Sequence, residues 1–441
     1  MPTAYTILFL LLILVAAATW IIPAGSYDYV DGVPVAGTYH TVEQNPQGVG
    51  DVLKAAFSGF YDAVDVCIFI LMVGGFLGVV MKTGAVDAGV GNVIRLLGGR
   101  EKWLIPILML LFGLGGTTYG MWEETMAFYP LLIPVFLAAG YDAVVGISVI
   151  LLGAGAGVIA STVNPFATGI AAGFAGVSLG EGIVLRLLEW VAFEAAAIWF
   201  VMAYAAKVKK NPSKSVVGVG AGKIQVSMDQ QVSFTAKRKV IMALFTLTFL
   251  IMVYAVVPFD EMGLSLPALG WWFPELSALF LVAGVVIGLI DRMSEEELVE
   301  TYVAGCADLL GVAFIIGISR GITVLMNDGA ITDTVLHWGE QALSGAGAIS
   351  FTLLVFALYL PLTILIPSSS GLATLSIPIV APLGKFAGVG GDLVVTAFQS
   401  ASGLVNIITP TAAVVMGALA LGHVPYDRWV KYVWKLILWF L

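Results

Sequence analysis

Two adjacent acids, Glu123 and Glu124, are the only charges in the apolar run 103–141, where they follow Gly115-Gly116-Thr117-Thr118-Tyr119-Gly120-Met121-Trp122. One bilayer crossing takes ~20 residues, so this run is too long for one and breaks at its centre into glycines, hydroxyls and acids. The economical reading is a re-entrant hairpin with a polar tip at mid-depth. Non-helical backbone inside a bilayer is tolerated only where protein buries it or water lines it. An ionisable side chain there costs ~3 kcal/mol, which marks the pair as a functional site. Their chemistry is cation binding or proton carriage, because two carboxylates this close in low dielectric hold a proton unless a cation sits there. Helix capping is the plainer alternative, and it explains one of them more readily than both.

A complementary set lies in the second half. Ser368, Ser369 and Ser370 follow Pro367 and precede an expected helix, so hydroxyls and free N–H groups converge where a carboxylate fits. Capping alone explains one of the serines. Asn164 and Thr409 each stand just before a proline at a break in an apolar run. They are oxygen donors for a substrate or for a hard cation such as sodium, with helix–helix hydrogen bonding as the alternative. Thr117, Thr118, Ser161, Thr162, Asn406 and Thr411 carry the ion-ligand reading more weakly. Arg320, inside the apolar stretch 306–326, either faces a substrate carboxylate or snorkels to the interface. Glu194 reads as a buried scaffold contact, and Asp62 and Asp308 as interfacial caps at matching span starts.

These groups must be positioned by membrane helices. The chain is 59% hydrophobic and 11% charged, with a mean hydropathy of +0.99, which is the composition of an all-α polytopic membrane protein. Cys67 and Cys306 stand in separate apolar runs and suggest neither a disulfide nor a zinc site. The opening run, 5–24, lacks a basic flank and a defensible cleavage site, so it reads as a retained first span. Residues 25–50 form a polar loop with a small hairpin near 26–33. An amphipathic stretch at 51–60 leads into a span at 62–81, and 85–100 should lie along the interface. After the hairpin, 142–176 is again overlong and broken at Ser161-Thr162-Val163-Asn164-Pro165, the pattern of a discontinuous helix. Residues 181–206 cross.

The lysine-rich linker 207–239 is assigned to the cytoplasm by its charge. Beyond it the plan repeats. Spans at 240–257 and 275–290 flank a loop with Asp260 and Glu261. An acidic amphipathic stretch at 294–301 precedes a span at 306–326, and 331–343 is amphipathic. The run 349–386 breaks at Pro367-Ser368-Ser369-Ser370-Gly371. A second discontinuous helix breaks at Asn406-Ile407-Ile408-Thr409-Pro410-Thr411, and a last span begins near Arg428. The expected division is 1–206, with a hairpin at 103–140 and a broken helix at 142–176; the linker 207–239; and 240–441, with a hairpin at 349–388 and a broken helix at 392–421.

The halves align on Gly84-Ala85 with Gly329-Ala330, Pro130 and Pro134 with Pro378 and Pro382, Asp142 with Asp392, and Asn164-Pro165 with Thr409-Pro410. Charge counting puts the two hairpin bases on opposite sides, so the repeats are inverted. Inverted repeats with broken helices meeting at the midplane are the architecture of secondary transporters.

The chain resembles the ion transporter superfamily, in its anaerobic C4-dicarboxylate carrier and YfcC-like branch, which includes arginine/ornithine exchangers. The resemblance rests on Tyr119-Gly120-Met121-Trp122-Glu123-Glu124-Thr125, Ser161-Thr162-Val163-Asn164-Pro165-Phe166-Ala167-Thr168, Ile366-Pro367-Ser368-Ser369-Ser370-Gly371 and Ile408-Thr409-Pro410-Thr411. It implies a scaffold, a transport domain holding both hairpins, elevator-type alternating access and a homodimer. Sodium-dicarboxylate relatives carry Ser-Asn-Thr at both tips; here an acid pair and a serine triplet replace them.

The expected function is therefore secondary active transport of a small organic acid across the plasma (inner) membrane. A basic amino acid is favoured, since the serine tip suits its carboxylate and the acids suit its amine or guanidinium. The alternative is a sodium- or proton-coupled C4-dicarboxylate or short-chain fatty acid carrier. No cofactor is called for beyond Na+ or H+ as coupling ion; the partners are the substrate, the bilayer and a second copy, with no nucleic acid. A channel would present a continuous polar path. An enzyme is disfavoured: HExxH is absent, GxSxG at 176–180 and 317–321 lacks a strand-to-helix turn, and His40, His337 and His423 are all assigned near water.

Overall fold

A computed structural model describes residues 4–441 except 32, 87, 90–99, 179, 219–234, 257–265 and 272. Among the described residues helices dominate, with four two-residue strands. α1 (Ala4–Ala18) is shorter than the expected span 5–24. It ends because Pro23 lies ahead and Gln44 Nε2 takes the carbonyls of Thr19 and Ile22. β1 (Gly25–Ser26) pairs with β4 (His40–Thr41), and β2 (Tyr29–Val30) pairs with β3 (Val33–Pro34), which is the expected outer hairpin.

α2 (Val49–Asp62) and α3 (Val64–Lys82) follow as expected. The interfacial reading of 85–100 falls mostly outside the described residues. The first hairpin is built from α4 (Leu104–Tyr119), a 3-10 turn at Glu123–Phe128 and α5 (Tyr129–Ala138). The first broken helix is α6 (Ala143–Ile159), an irregular break, a π turn at Pro165–Gly169 and α7 (Ile170–Ala175). α8 (Ile183–Lys210) runs four residues into the expected linker, and α9 (Ala236–Val256) starts inside it; the central part of that linker, and the loop with Asp260 and Glu261, lie outside the described residues.

α10 (Phe273–Asp291) is followed by α11 (Glu295–Asp328). This corrects the sequence expectation of an acidic stretch followed by a separate span. Ser294 caps Glu297, no breaker intervenes, and 34 residues run as one helix. Asp308 is therefore mid-helix and is not a cap. Next come α12 (Thr332–Leu343), the second hairpin α13 (Ala348–Leu365) and α14 (Ser369–Phe386), the second broken helix α15 (Gly391–Asn406) and α16 (Ala413–Leu421), and α17 (Tyr426–Phe440).

Among the described residues, α3, α10, α11 and α13 are long and apolar enough to cross a membrane by length and composition. α11 packs along α2, α3 and α1. The closeness comes from glycine: a Cβ on Gly59 would lie 2.1 Å from the Gly317 carbonyl oxygen, and one on Gly74 2.5 Å from that of Gly305. Backbones that approach this way exchange side-chain bulk for dispersion contact, the usual glue between membrane helices. On the other side, both arms of the first hairpin pack on α6, α13 packs on α15, and α15 packs on α6. The outer strands are tied to α12: Tyr27 N and Tyr29 Oη donate to Asp333, at 2.9 and 2.7 Å, and Tyr39 stacks on His337.

Candidate functional site at the hairpin tips and helix breaks

The two broken helices cross at their breaks. A Cβ on Gly403 would lie 2.5 Å from the Ile159 Cα, and one on Gly155 2.5 Å from an Ile407 methyl, so neither position admits a side chain. Polar backbone freed at each break must be satisfied inside protein. At the first break, Thr117 Oγ1 donates to the Ala160 carbonyl (2.7 Å), while Thr162 N–H and Oγ1 return bonds to Thr117 (3.1 and 3.0 Å). Arg186 Nη2 reaches the Thr162 carbonyl (3.4 Å), and Gln399 Nε2 takes that of Val158 (2.7 Å). At the second break, Trp429 Nε1 donates to Ile407, Tyr426 Oη to Ile408 and Ser319 Oγ to Thr411.

The acid pair splits into two roles. Glu124 is buried, and its Oε2 accepts the N–H of Trp122 (3.1 Å), so it holds the turn. Glu123 is half-buried and lines a small cavity of about 40 Å³ with Trp122, Ser319, Arg320, Pro367 and Thr411. The first tip, the second tip, the second break and α11 thus meet at one point. Arg320 faces this cavity, acts electrostatically on Glu123, and pairs with Asp62 at 3.8 Å. Asp62 ends α2 as the partner of Arg320, where the sequence suggested an interfacial cap.

The other predicted groups are distributed as follows. Asn164 accepts from Ala167 N–H (3.4 Å) and fills the gap left by Gly120. Gly120 is in the left-handed region (φ 77°), and a Cβ there would meet Asn164 Nδ2 at 2.5 Å. Thr409 and Thr411 bond to each other through their hydroxyls (2.8 Å). Ser161 Oγ and Asn406 Oδ1, one at each break, are buried without a partner among the described residues. Those two oxygens suit a cation better than the hydroxyls of Thr117 and Thr162, which bond to each other and to the backbone. Thr118 Oγ1 bonds back to Leu114 in its own helix.

Ser368 Oγ caps Gly371 N–H (3.2 Å), whereas Ser369 and Ser370 already belong to the first turn of α14, so only one of the three precedes the helix. All three are half-buried and stand outside the cavity, next to Pro367. Among the described residues no cluster of His, Cys, Asp or Glu suits a metal ion.

Arg186, Gln399, Ser319, Tyr426 and Trp429 escape sequence reasoning. Their function is to close backbone groups contributed by distant segments. For Arg186 and Gln399 a signal existed in a polar side chain within an apolar run.

The profile of the C4-dicarboxylate anaerobic carrier family (DcuC) matches residues 1–441. The chain belongs to this family. It is 35% identical to an uncharacterised protein of Haemophilus influenzae, over 99% of this chain and 94% of the relative. It is 30% identical to the Escherichia coli K12 protein named "Putative basic amino acid antiporter YfcC", over 98% of this chain and 92% of that one. Solved structures similar to it include the Alcanivorax borkumensis YdaH transporter (TM-score 0.44, 14% identity, 100% of this chain and 96% of that one). Another is MtrF of Neisseria gonorrhoeae, from a class of antimetabolite efflux pumps (TM-score 0.43, 17% identity, 100% and 93%). The resemblance drawn from the tip and break motifs agrees with the family match. Membership in a carrier family makes transport the function to explain.

Proposed function

We propose that this carrier is a secondary active transporter of a basic amino acid, working by uptake or exchange of the arginine/ornithine type. The carrying observation is the cavity where Glu123 and Arg320 face a common space with Pro367 and Thr411. A ligand bearing both a cation and a carboxylate satisfies both walls; a dianion leaves Glu123 unpaired in low dielectric. At about 40 Å³ the cavity holds roughly three waters and is smaller than arginine, so binding requires the tips to part. Ser369 and Ser370 then come within reach of the carboxylate beside the N-terminus of α14. The name of the Escherichia coli relative supports the basic substrate. The family description favours the second reading, a C4-dicarboxylate coupled to sodium or protons, to which short-chain fatty acids are related candidates.

The halves repeat the same succession of hairpin, broken helix and closing helix, which supports two inverted repeats divided as 1–206, 207–239 and 240–441. Elements 349–441 and the first hairpin with α6 to α8 form the moving body of an elevator; α1 to α3 and α10 to α11 form its scaffold, paired in a homodimer. The protein resides in the plasma (inner) membrane with the 207–239 linker cytoplasmic. Sodium at Ser161 and Asn406, or a proton, supplies the coupling.

A ligand screen tests the substrate. Arginine, ornithine or lysine should raise the melting temperature of the purified protein more than succinate, fumarate or butyrate, with and without sodium. Stabilisation by succinate alone sinks the basic-substrate reading. Single cysteines at Lys214 and Asn327, in a background without Cys67 and Cys306, should label from opposite sides of intact cells. Equal labelling from outside sinks the inversion.

A further inference from the structure

Glu194 lies on α8, away from the cavity, and is 2% exposed. Neither of its carboxylate oxygens has a hydrogen-bond partner among the described residues. Its position follows from two glycines. A Cβ on Gly157 of α6 would stand 2.2 Å from the Gly113 carbonyl oxygen, so α4 and α6 touch backbone to backbone. A Cβ on Gly113 would stand 2.4 Å from Glu194 Oε2, so the carboxyl group is pressed onto bare backbone where α4, α6 and α8 meet.

Among the described residues the elements packed around it offer no counter-charge. α4 and α6 contain no Asp, Glu, Lys, Arg or His. On α17, which also packs on α8, Arg428, Lys431 and Lys435 are exposed, and Asp427 lies in its first turn with those bases. Phe440 is the α17 side chain that reaches the Glu194 level, through Phe193. The 3-10 turn Pro212–Lys214 brings only Lys214, at the far end of α8. On α8 itself the charges are Arg186 and Glu189, which act on each other, with Arg186 also acting on Asp392, and the lysines of the last turn. A carboxylate sealed from water with neither donor nor cation is held as the neutral acid.

Glu194 is nonetheless wired to the site. One turn along α4 from Gly113 is Thr117, which holds the first break through Ala160 and Thr162. Two turns along α8 on the same face is Arg186, bonded to the Thr162 carbonyl. Trp190 lies between them, with Nε1 buried and without a partner among the described residues. Gly113 and Thr117 share α4, so movement of α4 away from α8 would strain the bonds of Thr117 at the first break and open the contact that covers Glu194.

We propose that Glu194 is a proton-carrying site of this transporter: neutral while α4 seals it against α8, and ionised when α4 shifts and water enters. The O–H bond then breaks, its proton passes to water and the electron pair stays on the carboxylate; reclosure takes a proton back. Ionisable groups buried in membrane helices are the recurring parts of such proton relays. The proposal rests on the transporter reading but not on which substrate is carried.

Two measurements decide it. In proteoliposomes, a pH gradient should drive accumulation of labelled arginine or, in a parallel arm, succinate by the wild type. Glu194→Gln should lose gradient-driven accumulation by tenfold or more while keeping exchange of the same solute at the wild-type rate. Accumulation by the variant at the wild-type level, or no gradient effect on the wild type with either solute, overturns the proposal. The second measurement uses only wild-type protein, so it stands if the variant fails to fold. A hydrophobic carbodiimide adds to protonated buried carboxyls, and peptide mass analysis should find the adduct on Glu194, decreasing as pH is raised. An unmodified Glu194 at acidic pH overturns the proposal. The choice of arginine or succinate as working solute reports on substrate class separately.

Discussion

At the first hairpin tip one hydroxyl, that of Thr117, is bonded into another segment, while Glu124, Thr125 and Thr118 bond within the hairpin. Thr117 and Thr162 lock α4 to the first break, Glu124 holds the backbone of Trp122, and Asn164 fills the space opposite Gly120. At the second tip the side-chain bonds among the described residues are local: Ser368 caps Gly371 and meets Ser370 (3.4 Å), and Thr374 bonds back to Ser370. The two tips hold matching places in the two halves, yet one is clamped and the other is bonded to itself. The clamped tip presents a fixed charge, Glu123, at the cavity. The self-bonded tip presents hydroxyls and a helix N-terminus that need only a small movement to meet a ligand. On the proposed function, Glu123 would meet the cation and the second tip the carboxylate of a ligand with one charge of each sign.

The sharpest break in this comparison is Glu123→Gln. It keeps shape and removes the charge that faces the cavity, so arginine or ornithine binding should weaken by ~1.5–3 kcal/mol, about tenfold to a hundredfold in Kd, at unchanged melting temperature. Calorimetric titration reads it. Glu124→Ala serves as the control: it removes the acceptor of the Trp122 N–H, so it should lower stability and spare affinity. Reversed outcomes would exchange the roles of the two acids.

Next comes the clamp. Thr117→Val is nearly isosteric and leaves the Ala160 carbonyl and the Thr162 N–H without Oγ1, so it should cost ~1–3 kcal/mol of stability. Its counterpart at the self-bonded tip, Ser368→Ala, removes one cap and should cost ~1 kcal/mol. Denaturation midpoints in the same detergent compare the two. An equal loss at both tips would erase the distinction between a clamped and a self-bonded tip.

The smallest effect is expected from Ser369→Ala. The wild type should prefer arginine to its carboxamide, and the variant should retain that preference reduced a few-fold, since neighbouring N–H groups of α14 still face the ligand. Undiminished discrimination would leave Ser369 with no part in holding the carboxylate.

Much of this architecture was legible in the chain. Overlong apolar runs interrupted by Gly, Ser, Asn and Pro read as hairpins or broken helices, because a bilayer admits no unsatisfied backbone, and both hairpins and both breaks fall where those residues stand. The acid pair stands in the turn of the first hairpin, where its place in the apolar run put it. Tertiary structure alone decided which acid faces the cavity, since Glu123 and Glu124 are neighbours in sequence and diverge only when the 3-10 turn commits one oxygen to Trp122. It also decided that 294–326 is continuous, because helix termination depends on capping and packing as much as on hydropathy. Most of all it decided who closes the breaks. Arg186, Gln399, Trp429 and Ser319 lie far along the chain from the carbonyls they satisfy, and hydrogen bonds across folded helices leave no period in a sequence.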